Sequence, residues 1–188
     1  MNIYNEQYYI TIRPINDNQL YLKPDKKTEH RDYDFRKLQP GGAPLFLENG
    51  TKEKDKRLGK QRHLTDVLME GSNLLVNDNI RNHLVLSSIK VMQLYPAIYI
   101  DDDDEDDDID YDAEVTQYYL DDKVLDEIPE HQRLMFKMGG ATKAYIFAHQ
   151  VVVDFFTSRK ISGVRFMKVS TFKEGDQFRP WIKKYTYI

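Results

Sequence analysis

The stretch "YIFAHQVVVDFFTSRKISGVRFMKV" (145–169) carries the pattern on which the fold turns. Its opening residues read as a short strand. The next ones read as a helix with Val151, Val152, Phe155 and Phe156 on its apolar side, and "VRFMKV" reads as a returning strand. Gly163 marks the break, since glycine suits the left-handed position that ends a helix or opens a turn.

A second stretch, "LLVNDNIRNHLVLSSIKVMQLYP" (74–96), echoes this order: apolar run, polar residues, amphipathic helix, break, strand. "NDNIRNHLVLSS" (77–88) is its helix, capped by Asn77 or Asp78, with Ile80, Leu84 and Leu86 as the apolar side. Ile80 and Leu84 fall where Val151 and Phe155 fall. Two copies at an irregular spacing do not make a solenoid. The expectation is an α+β fold, a mixed and mainly antiparallel sheet with helices packed on it, built around two related helix–strand units.

Outward from these units, "YYITIRP" (8–14), "QLYLKP" (19–24), "LFLENG" (45–50) and "LMFKM" (134–138) read as strands, the first two closed by prolines. "LTDVLMEG" (64–71) reads as a short helix with Leu64, Val67 and Leu68 on one face and Gly71 at its end. "TKEKDKRLGKQR" (51–62) reads as a mobile basic loop. Residues 1–63 thus form a β-rich N-terminal segment and 64–188 an α+β body, together one compact protein.

The charge is unevenly spread. Between "IKVMQLYPAIYI" (89–100) and "VTQYYL" (115–120), which read as the strands of an antiparallel hairpin, residues 101–114 hold eleven Asp/Glu and no Lys/Arg. The remaining chain has 27 basic against 20 acidic side chains, so a net charge of −4 conceals a body of +7. Local sign governs encounter with partners.

As a calcium loop the tract is poor, because it lacks the glycine that turns an EF-hand loop and the glutamate at its twelfth position. Nor does it match DNA. A duplex presents one charge per about 1.7 Å and an extended chain only about one residue per 3.3 Å. It can still meet a basic groove and speed encounter with a cationic partner. The candidate binding residues are Asp101, Asp102, Asp103, Asp104, Glu105, Asp106, Asp107, Asp108, Asp110 and Asp112, with Ile109 and Tyr111 as apolar anchors inside the charged rim. The competing reading is a hairpin tip that only solubilises an exposed edge. Thirteen tyrosines, some in pairs (Tyr8–Tyr9, Tyr118–Tyr119), suit either an interface or a tyrosine-rich sheet.

Little points to catalysis. The chain has no cysteine, which removes disulfides, thiolate sites and cysteine nucleophiles. His30, His63, His83, His131 and His149 are scattered without zinc spacing, so His149, at a helix start, reads as a packing or capping residue. "PGGAP" and "MGGATK" are short glycine turns without the ordered G-K-[S/T] of a phosphate loop, and no nucleophile elbow occurs. The N-terminus has neither a basic leader nor an apolar core, and no run reaches the length of a membrane span, so a cytoplasmic chain without membrane or nucleic-acid partner is expected.

Two segments resemble a known family when taken together. "LTDVLMEGSNLLVNDNIRNHL" (64–84) and "YIFAHQVVVDFFTSRKISGVRF" (145–166), with the "xxIRxxL" and "xxGVRF" patterns, are similar to immunity proteins of bacterial polymorphic toxin systems, including those tied to type VI secretion, in a family first catalogued as a myxobacterial domain of unknown function. "NDN" and "AHQ" depart from that family's usual caps, and the acidic tract is denser. The resemblance implies a cytoplasmic protein without catalytic residues or cofactor. It would bind a cognate toxin, a nuclease with a basic groove, and block its active site. The alternative is a non-catalytic adaptor or regulatory binding protein whose acidic loop is only a solubilising surface.

Overall fold

The computed structural model describes residues 2–15, 18–31, 42–71, 73–86, 97–100, 118–137 and 145–179. The fold is α+β. A four-stranded antiparallel sheet runs in the order β7 (Met135–Lys137), β8 (Ile146–His149), β1 (Tyr8–Ile12), β9 (Arg165–Lys168). The central strand, β1, pairs Ile10 with Phe147 on one side and with Met167 on the other.

Period-two alternation splits this sheet between two cores. Tyr8, Ile10 and Ile12 point to one face, where Tyr4, Tyr118, Leu120, Leu125, Phe147, Val169 and Phe172 fill a first core. Tyr9 points to the other face, with Ala148 and Phe166, against Val152, Val153, Phe155 and Phe156 of α6 (Gln150–Ser158). Both faces are covered, so β1 is apolar nearly throughout rather than alternating with charge.

The two helix–strand units meet in the second core, where Ile80 and Leu84 of α4 (Asp78–Leu86) join the α6 residues. Each helix is capped by its preceding residue. Asn77 Oδ1 accepts from Ile80 N at 3.0 Å, and His149 Nδ1 accepts from Val151 N at 3.4 Å. Counted from these caps, Ile80 and Leu84 correspond to Val152 and Phe156, one residue beyond the sequence alignment. Val151 is 45% exposed, whereas Val152 is buried.

Two readings of short segments are corrected first. Residues 64–71 are not helical: Val67–Glu70 is strand β4, which pairs antiparallel with β5 (Asn73–Val76) around Gly71. Leu64, Val67 and Leu68 satisfy a helical spacing, but so short an apolar run fits a strand equally, and the hairpin partner decides. Residues 51–62 are not irregular connection: Lys52–Leu58 forms helix α3, ended by Gly59 in the left-handed conformation (φ 60°).

A three-stranded sheet holds β2 (Leu22–Pro24), β3 (Leu45–Asn49) and β6 (Ala97–Ile100). β2 pairs β3 antiparallel, while β3 and β6 run parallel, with Glu48 opposite Ile100. The sequence reading made β6 one arm of a hairpin with residues 115–120. Among the described residues β6 pairs with β3 instead, and Tyr118–Leu120 form no strand. Short helices α1 (Ile3–Gln7), α2 (Lys26–Glu29) and α5 (Asp122–Asp126) were not anticipated.

The loop before β9 stitches the units together. Gly163 adopts φ 95°, and a Cβ there would lie 1.8 Å from the Val67 carbonyl oxygen. Beside it, Asp66 Oδ2 accepts from Ser162 N at 2.9 Å and Ser162 Oγ at 2.6 Å, and these bonds hold the Asp66 carboxyl below its usual range.

Candidate partner-binding site

The acidic residues singled out above, Asp101 to Asp112 with Ile109 and Tyr111, lie outside the described residues. What is described is the framework at either side. β6 ends at Ile100 on one side of the tract, and on the other Tyr118 lies in the first core.

The backbone at Leu120 is firmly held. Asn2 Nδ2 donates to the Leu120 carbonyl, and Leu120 N donates to Asn5 Oδ1 at 3.0 Å. The same Asn2 caps α1, its Oδ1 accepting from Tyr4 N and Asn5 N. One asparagine thus both starts α1 and fixes the backbone beyond the tract.

Between the pinned Leu120 and the buried Tyr118 (4% exposed), Tyr119 projects outward and is 70% exposed. The tyrosine pairs noted in the sequence therefore divide their work: in Tyr118–Tyr119, as in Tyr8–Tyr9, the first ring is core and the second is more open.

An open groove of about 290 Å³ lies here, lined by Asn2, Asn5, Glu6, Tyr118, Tyr119, Val169 and Ser170. Glu6 faces Lys168, whose Nζ lies 3.4 Å from Glu6 Oε2 and 5.8 Å from the centre of the Tyr9 ring. Of these residues the sequence pointed only to the tyrosine pair. Asn2, Asn5 and Glu6 sit on an α1 too short to show an apolar period, and Val169 and Ser170 arrive from the far end of the chain.

The ionisable groups of the first core serve packing. The Tyr118 phenol is pushed up by burial and then by Glu174, and burial followed by Glu174 also raises Tyr145, whose hydroxyl donates to Glu174 Oε2 at 3.3 Å. On the other side of the core Arg133 donates to the Tyr8 hydroxyl at 2.9 Å and to the Ile128 carbonyl at 2.8 Å, and its guanidinium lies 4.8 Å from the centre of the Tyr4 ring. Tyr4 in turn donates to Asp126. His149 is buried edge-on to Tyr8, and burial lowers its pKa, in keeping with a neutral capping ring.

Among the described residues no group of three or more His, Asp or Glu could hold a metal ion, and no helix is long and apolar enough to cross a membrane. No family model, curated protein or solved structure matches the chain.

Proposed function

We propose that the chain is a non-catalytic immunity-type protein that binds a cognate secreted antibacterial toxin in the cytoplasm and occludes its active site. A nuclease with a basic groove is the partner class the charge pattern suits. One observation carries the reading: eleven carboxylates within residues 101–114 on a remainder of +7. Such a distribution gives long-range attraction to a cationic surface without making the whole protein strongly acidic. The pinned, tyrosine-bearing backbone that follows the tract supports it, because rigid aromatic contacts supply the short-range energy that charge alone does not.

The test is co-expression with a candidate secreted nuclease toxin, followed by binding kinetics. Replacing Asp101–Asp108 by Asn, with Gln at position 105, should slow association and flatten its dependence on salt. Protection and kinetics that do not change with this neutralisation would remove the tract from the interface, and a wild-type chain that neither binds nor protects would overturn the reading.

A further inference from the structure

We infer that the groove beside α1 receives a lysine or arginine side chain of the partner protein, an inference that rests on the reading of a basic partner. Its chemistry suits a cation. Glu6 supplies an anion, the exposed Tyr119 ring supplies a π face, and Asn2, Asn5 and Ser170 supply polar rim. At about 290 Å³ the open groove has room for one long side chain.

The chain already uses this arrangement once for itself. Lys168 lies between Glu6 and the Tyr9 ring, so Glu6 attracts an ammonium next to a tyrosine in the free protein. Only Glu6 Oε2 is engaged there. Its Oε1 has no hydrogen-bond partner among the described residues. A partner's cation would therefore share the carboxylate with Lys168, opposed by the charge of Lys168 and helped by Tyr119.

Preorganisation favours the contact. The flanking Leu120 backbone is bonded at both its N–H and its C=O, and the Tyr118 ring packs edge-on against Tyr145 and Phe147. Tyr119 is presented from a fixed backbone, so little ordering opposes binding. The site also follows the acidic tract closely in sequence, Tyr119 standing five residues after Glu114. The tract draws a basic surface in, and the groove gives it a defined register.

The probe is a decapeptide rich in arginine and lysine and free of aromatics, titrated into the full chain and followed by backbone amide shifts. A control peptide carries citrulline and acetyl-lysine instead. The basic peptide should shift the amides of Glu6, Tyr119 and Ser170, and the control should not. Tyr119→Ala should weaken binding about twofold to fivefold, the range expected of one exposed cation–π contact. Lys168→Met should tighten it about twofold to threefold by removing a like charge.

A wild-type chain whose groove amides ignore the basic peptide would overturn the inference. So would unchanged affinity in both variants when tract neutralisation abolishes binding, and that outcome would leave the proposed function standing. Loss on Tyr119→Ala, with toxin protection insensitive to tract neutralisation, would uphold the groove and remove the tract from the toxin contact.

Discussion

Arg62 closes on Asp55 through two hydrogen bonds, Nε to Oδ2 at 2.8 Å and Nη2 to Oδ1 at 2.6 Å, although the stretch that holds both residues looks like solvated charge in the sequence. Asp55 is 4% exposed, and Thr51 Oγ1 donates to it as well, at 2.8 Å. The pair ties the helix that follows β3 back onto the body.

This carboxylate gives the fold a pH dependence of known sign. Arg62 and the Thr51 and Asn49 hydrogen bonds lower the Asp55 pKa from 3.8 to about 2, against the opposing effect of burial. A pKa lower in the folded state means the contribution is complete above the unfolded value of 3.8 and is lost as pH falls through about 2. With solvent screening allowed for, it is on the order of 1–2 kcal/mol. Urea titrations at pH 5 and pH 2.5 should show a smaller difference in Asp55→Asn than in the wild type. An equal difference would refute the assignment.

Gly163 and Gly59 both have positive φ, but only Gly163 faces a neighbour. Gly59→Ala should cost about 1 kcal/mol, the intrinsic penalty for a left-handed residue with a side chain. Gly163→Ala must also displace the Val67 carbonyl and Thr65, and should cost about 3 kcal/mol or more. Thermal unfolding of the two variants separates these values. A similar loss in both would mean that the contact with Val67 contributes nothing.

The registration of the two units is open to the same kind of measurement. Val152→Ala removes two methyl groups from the second core and should destabilise by about 2 kcal/mol. Val151→Ala, on the open side of α6, should change stability by less than about 0.5 kcal/mol. The opposite ranking would restore the alignment that the sequence suggested.

Thr11 sits on the central strand with its hydroxyl buried and without a hydrogen-bond partner among the described residues. Thr11→Val keeps the shape and removes the unmatched polar group, so it should raise stability by about 1 kcal/mol. A lower melting temperature would show that the hydroxyl is satisfied in solution.

Much of this architecture is written in local pattern. β1, β3, β7 and the β8–α6–β9 run follow from apolar runs that end at proline, glycine or a cap, and α4 follows from Asn77 with Ile80 and Leu84. Each signal is complete within a few residues, because side-chain period and capping are properties of the chain next to itself. The charge partition that motivates the functional reading is likewise a property of composition.

Other features depend on partners distant in the chain. Val67–Glu70 is a strand because Asn73–Val76 lies across from it and Ser162 and Gly163 press on its start, contacts that a helical spacing of Leu64, Val67 and Leu68 cannot report. β6 chooses β3, not the residues after the acidic tract, as its described neighbour, and no local signal separates a parallel from an antiparallel partner. The groove is the clearest instance. Glu6 and Ser170 are anonymous along the chain, and they join Tyr119 in one surface only where α1, the backbone before α5 and the turn after β9 are brought together over the first core. Burial and long-range hydrogen bonding decide such placements, because both depend on which distant segments come together.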